Sequence, residues 1–399
     1  MQRNAQDRAI RARIPFRTGA VILGWILFHA VPVAAATTPN LAQEERFKKF
    51  GVVLDPWAES QVAFWRRIYS DYSSGDQLIH DSMNLSHVYA VARGLPEAQK
   101  TREEIIRGLR TIAGRFPKTV DRERLSPAEL KLYQALEANE DPRAYGFAAD
   151  TSRIRIQGGL KDRLEDAFIL SKRYLGRMQQ ILEEEGVPKE LALLPFVESA
   201  FEHEARSHVG AAGIWQFMPV TARRDLRVTA AIDERYDPLK STRAAARFLR
   251  VNYNLLGSWG LAVMAYHHGA GLVKRAIGKV GSRDPLVLIR TFKDPNFRFA
   301  SRNYLFEFLA MCDFGQQQSE WLEPKVPEGL PAFITVSFPK RTHAKELLQR
   351  YQLNEKMTRV LNPHFRQPIW TSEAEIPAHY PVRMAGISLE EFRRLEYPR

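Results

Sequence analysis

Apolar residues recur every third or fourth position through most of this chain. Between positions 61 and 72, Val62, Phe64, Trp65, Ile68 and Tyr69 fall at that spacing, which predicts a helix. Residues 96–116 and 126–137 repeat the pattern. The second run opens with Ser126-Pro127-Ala128-Glu129, a serine cap followed by proline in the first turn. The stretch 37–150 therefore reads as a helical region. A longer amphipathic run, 163–185, ends at Gly186 and Pro188. Asp237-Pro238 starts a further helix that runs through Ala244, Ala245, Phe248, Leu249 and Tyr253 and stops near Gly257. Residues 261–266 begin the next helix, and 302–314 form the last. Packed helices are the natural way to bury so many apolar stripes.

The pattern changes after Pro324. Residues 333–338 and 380–384 read as short strands, with short helices at 343–351 and 354–361 between them. The expected architecture is thus mainly α: a helical region at 37–150, an all-helical domain at 151–320 and a small α+β appendage at 321–399.

The first 36 residues stand apart. Arg3, Arg8, Arg11, Arg13 and Arg17 precede an apolar run at 20–36 that ends in Ala34-Ala35-Ala36. A basic stretch, an apolar run and small residues at a cleavage site make a secretory signal. Left uncut, the same run is a membrane anchor. In either case the body faces the periplasm. No cysteine follows the run, which excludes a lipoprotein anchor, because the single cysteine is Cys312. That residue lies among Leu309, Ala310 and Met311 and reads as a buried thiol; with one cysteine there is no intrachain disulfide.

The formal net charge is +12, part of it from the N-terminal arginines. A basic surface suits an anionic polymer, whether nucleic acid, lipid or cell wall. The cations are dispersed and no nucleic-acid-binding motif accompanies them, so nucleic acid is not the expected partner.

The informative chemistry begins at Leu193-Leu194-Pro195-Phe196-Val197-Glu198-Ser199. Glu198 follows five uncharged residues. Burial beside apolar groups raises a carboxyl pKa, as a general acid requires. Fifteen residues on comes Gly213-Ile214-Trp215-Gln216-Phe217-Met218-Pro219. Gln216 offers a donor and an acceptor to a sugar, while Trp215, Phe217 and Met218 read as an apolar wall. Then follow Ala265-Tyr266-His267-His268-Gly269 and Arg302-Asn303-Tyr304, whose tyrosine hydroxyl is placed to orient the carboxyl.

These four elements, in this order, resemble the lytic transglycosylases related to goose-type lysozyme (glycoside hydrolase family 23), in the membrane-bound lytic murein transglycosylase D type. Phe64-Trp65-Arg66-Arg67-Ile68-Tyr69, Gly210-Ala211-Ala212-Gly213, Asp233-Glu234-Arg235-Tyr236-Asp237-Pro238 and Leu361-Asn362-Pro363 are similar to that subgroup as well. The resemblance implies a lysozyme-like catalytic domain. It carries the catalytic residue onto Glu198 and the supporting or substrate-binding positions onto Ser199, Gly213, Trp215, Gln216, Met218, Tyr266, His267 and Tyr304. At His267 the chain departs from the asparagine usual in the family. The tail's β-α-α-β order resembles a degenerate LysM-like module, without clear LysM repeats.

The implied substrate is the peptidoglycan glycan strand. The implied reaction joins the muramoyl C6 hydroxyl to C1 and leaves a 1,6-anhydro end. Wall-synthesis or division proteins are the implied class of partner. No cofactor is expected. His267 and His268 are adjacent on a helix and point about 100° apart, so no metal site is expected. Two rivals use the same residues: a lysozyme-type hydrolase with water as acceptor, and a catalytically silent wall-binding protein.

Overall fold

In a computed structural model, residues 45–116, 120–137, 151–317 and 331–396 are described. The expected signal at 1–36 lies outside them. Among the described residues no helix is long and apolar enough to cross a membrane.

Helix α1, Pro56–Ser70, is capped by Asp55, whose carboxylate accepts from the Ala58 amide. Its chain then turns into an antiparallel hairpin, β1 Asp76–Asp81 and β2 Val88–Arg93. Helices α2, Leu95–Arg115, and α3, Pro127–Glu137, follow, and β3, Ile154–Gly158, closes a sheet of order β2-β1-β3. The helical reading of 37–150 is corrected here. The hairpin escapes a period-two search because β1 buries the polar residues His80 and Asp81. Asp81 does the work of a turn former: its carboxylate takes the Met83 and Asn84 amides and pairs with Arg153 just ahead of β3.

The run expected as one helix at 163–185 is two, α4 Lys161–Ser171 and α5 Leu175–Glu184. The break lets Tyr174 bury between them. A five-residue 3-10 turn, Lys189–Leu193, leads into the short α6, Leu194–Ser199; Pro219–Ala222 is α7. Helix α8, Pro238–Leu256, begins at Asp237 and stops at Gly257 (φ 86°). In α9, Trp259–His268, every residue from Trp259 to Ala265 is buried, the mark of a helix enclosed on all sides. Helices α10 Ala270–Val280, α11 Pro285–Thr291 and α12 Phe299–Gln317 complete the domain.

One apolar cluster links Phe47 to Leu85 with Leu164 to Phe314, so residues on both sides of the expected 150/151 boundary share a core. Helix α1 packs along α12. Trp65 donates to the Asn303 amide oxygen at 3.1 Å and Tyr69 to the Glu307 carbonyl at 3.2 Å. Cys312, on α12, is a buried free thiol.

The tail holds its own small core, around Phe338, Tyr351, Phe365, Ile369, Val382 and Met384. Strands β4 Phe333–Val336 and β5 Val382–Ala385 pair antiparallel. Between them lie α13 Ala344–Arg350, α14 Glu355–Leu361 and α15 Gln367–Trp370, and α16, Leu389–Glu396, follows. The short α15 is the one element between the strands that the apolar pattern does not announce.

Candidate active site

Glu198 stands in the last turn of α6. That helix stops at once because Ala200 and Phe201 turn left-handed (φ 49° and 59°) and their amides bond back to the Phe196 and Pro195 carbonyls. The turn is held by Phe201, which is fully buried. Glu198 itself keeps partial access to solvent. Burial around its carboxyl is the largest influence and raises the pKa to about 7, against a smaller pull downward from the Tyr304 hydroxyl. The carbonyl end of a helix is also a poor place for a negative charge.

Tyr304 enters from α12, more than a hundred positions away in sequence, and donates to Glu198 Oε1 at 2.5 Å. Burial first, and the Glu198 charge next, push its own pKa well up, so it remains a donor. His267, at the end of α9, stacks on the Tyr304 ring with centroids 4.4 Å apart and planes 24° apart. Its outer side is exposed. Burial of the inner side, then His268, lower its pKa to about 4, which leaves a neutral imidazole. His268 turns away, toward the Ser301 carbonyl. Among the described residues no three His, Cys, Asp or Glu side chains are placed to hold a metal ion.

The loop 210–218 packs under α6. The Ser199 hydroxyl lies 3.0 Å from the Ile214 carbonyl and 3.2 Å from that of Pro195. Tyr266 donates to the Trp215 carbonyl at 2.7 Å. The loop turns at Gly213 (φ 75°), where a Cβ would lie 1.9 Å from the Arg235 carbonyl oxygen; no other residue fits there.

The wall of three apolar residues is corrected. Trp215 is fully buried, with its indole N–H on the Thr242 hydroxyl at 2.9 Å, and Phe217 is buried as well. Both rings fill the core because the loop folds back on itself through the Ala212–Phe217 bridge. Met218 alone of the three stays open, at 38% exposure. Gln216, held left-handed at φ 46°, is half-buried and donates to the Gly213 carbonyl at 2.9 Å. Among the described residues nothing donates to its amide oxygen.

The structure therefore brings Glu198, Tyr304 and His267 together. It sets Ser199, Gly213, Trp215 and Tyr266 behind them as a frame, and leaves Gln216 and Met218 on the loop. Glu202 and Glu204 are exposed, and Glu204 pairs with Arg366.

The apolar pattern missed Glu307. It lies one helical turn beyond Tyr304 on α12 and is half-buried, with no ion-pair partner among the described residues. Burial, then the Glu198 charge, raise its pKa to about 8. The spacing of three from Tyr304 was the available signal.

Residues 178–289 match the family model described as Transglycosylase SLT domain. Over 119 residues the chain is 40% identical to membrane-bound lytic murein transglycosylase D of Escherichia coli K12, a stretch that covers 29% of this chain and 26% of that protein. It is 36% identical over 117 residues to a putative tributyltin chloride resistance protein of Alteromonas sp. strain M-1, covering 29% and 56%. The chain thus spans about a quarter of the length of the first relative and about half of the second. Among solved structures, the 70 kDa soluble lytic transglycosylase of Escherichia coli aligns with TM-score 0.33 at 15% identity, over 56% of this chain and 44% of that one; so loose a likeness carries no argument.

Proposed function

We propose that this chain, whose residues 178–289 match the transglycosylase SLT domain, is a peptidoglycan lytic transglycosylase in which Glu198 serves as acid and then as base. The observation that carries the reading is the buried Glu198 carboxyl, poised at about pKa 7 and oriented by Tyr304.

Protonated Glu198 gives its proton to the oxygen linking N-acetylmuramic acid to N-acetylglucosamine. The substrate's own N-acetyl group steadies the oxocarbenium-like centre. Glu198, now ionised, takes the proton of the muramoyl C6 hydroxyl, whose oxygen attacks C1 and closes the 1,6-anhydro ring. An intramolecular nucleophile held over C1 gains from proximity, and no second carboxylate is required. Glu307 is compatible with this economy: burial, then the Glu198 charge, raise its pKa to about 8 and bias it toward the protonated form. Gln216 and Met218 line the glycan cleft, and His267 takes part in positioning the sugar. The chain acts in the periplasm after export by its N-terminal segment. The tail is a LysM-like appendage, and wall-synthesis or division proteins are the partners that fit.

Digestion of purified sacculi tests the reading. Products lighter by one water than lysozyme products are expected; hydrolysed ends in their place overturn the lyase and leave the hydrolase. A second result is expected from Tyr304→Phe. The Tyr304 hydroxyl holds the Glu198 pKa down, so its loss moves the alkaline limb of kcat/KM to higher pH and costs about tenfold in rate. An alkaline limb that stays in place separates the tyrosine from the carboxyl.

A further inference from the structure

Two motifs play no part in the chemistry above: Asp233-Glu234-Arg235-Tyr236-Asp237-Pro238 in the helical domain and Leu361-Asn362-Pro363 in the tail. They lie against each other. The Asp233 amide donates to the His364 carbonyl at 2.8 Å and the Arg366 amide to the Ala231 carbonyl at 2.9 Å, around a bridge between Ile232 and Phe365. Ile232 belongs to the tail's core rather than to that of its own domain.

Side chains lock the same junction. Asp237 is fully buried. Its carboxylate caps α8 through the Leu239 and Lys240 amides. The same carboxylate takes Arg383 Nη1 at 2.6 Å and lies 2.9 Å from His364 Nδ1, both from the tail. Arg383 also reaches the Leu361 carbonyl at 3.0 Å. Glu234 accepts from Lys240 and from Tyr380 of the tail, each at 2.6 Å. The Arg366 guanidinium sits 3.9 Å over the Tyr236 ring while it pairs with Glu204.

The opposite side of this strap, residues 231–237, grips the loop that carries Gln216. Arg235 is pinned by Asp233 through Nε and Nη2 at 2.9 and 2.7 Å. Its Nη1 donates to the carbonyls of Gly210 at 2.8 Å and Phe217 at 3.0 Å. The Arg235 carbonyl is the atom pressed against Gly213. The strap is therefore held between tail and loop.

We propose that the C-terminal module is a brace for the cleft: Arg383 and His364 are positioning residues that fix the 231–237 strap, and through Arg235 they hold the 210–217 loop in shape. A buried carboxylate that loses its arginine is left uncompensated, because burial lowers the His364 pKa and keeps that imidazole neutral, so the strap loosens and the loop with it. The inference rests on the proposed reading only in taking that loop as cleft lining.

Arg383→Gln in the full chain tests it by hydrogen exchange, which needs no activity. Exchange of the Ala212, Gln216 and Phe217 amides is expected to rise at least about tenfold, with the amides of α12 unchanged. On sacculi, KM is expected to rise about fivefold with kcat within about twofold, and Arg383→Lys to restore part of it. Faster exchange in β4 and β5 with the 212–217 amides unmoved overturns the brace. Should Arg383→Gln not fold, Arg366→Ala, which removes the Tyr236 and Glu204 contacts at a half-buried position, is read in the same way. Wild-type protein inactive on sacculi would sink the proposed function and leave the exchange result standing.

Discussion

Glu198→Gln is expected to release almost no anhydromuropeptides from sacculi, with activity down at least about a thousandfold, and to fold normally. One side chain performs both proton transfers in the proposed reaction, so its loss removes both halves together. Glu307 is biased toward its protonated form, by burial first and the Glu198 charge next, and Glu202 and Glu204 face solvent. The variant also carries a stability signature. A carboxyl whose pKa rises from 4.5 to about 7 on folding favours the folded state while protonated. That contribution is complete below the unfolded value and is lost as pH climbs through about 7. Glutamine pays no such penalty. At pH 8 the variant should therefore be more stable than the parent, by up to about 3 kcal/mol, and near pH 4 the two should coincide. Denaturant titrations at the two pH values measure this. Anhydromuropeptide release close to that of the parent would remove Glu198 from the mechanism.

The second large effect is structural. Gly213→Ala places a methyl 1.9 Å from the Arg235 carbonyl oxygen, at a backbone φ of 75°. The obstacle is backbone on both sides, so no side chain can swing clear. Overlap and strain together are expected to cost about 3–5 kcal/mol and to lower Tm by about 10 °C. Gly271→Ala is the control. It lies inside α10 with open space around it and should be neutral or slightly stabilising. A Gly213→Ala protein melting within about 2 °C of its parent would show that the loop and strap are not in rigid contact.

Features governed by near neighbours were legible in the chain. The Asp237-Pro238 start and Gly257 stop of α8 are local chemistry, and so is the Ser126 cap, which exchanges bonds with Glu129. Glu198 stood out through five uncharged neighbours, and Tyr304 through the family resemblance. What depended on distant partners was hidden. The β1–β2 hairpin turns on Asp81 meeting Arg153. The inward course of Trp215 depends on Thr242, and the raised pKa of Glu307 on its burial first and the Glu198 charge second. The role of Asp237 at the tail junction needs Arg383, which lies 146 positions on. Periodicity sees one element at a time, and each of these requires two.

Helix α12 delivers Tyr304 to a carboxyl 106 positions upstream, and α1, near the other end of the described chain, holds α12 from behind. The tool is thus assembled from pieces contributed early, midway and late. A polypeptide still being synthesised has the acid but not its clamp. In the proposed reading full activity therefore waits until α12 has emerged and docked against α6, and the chain order itself sets that delay.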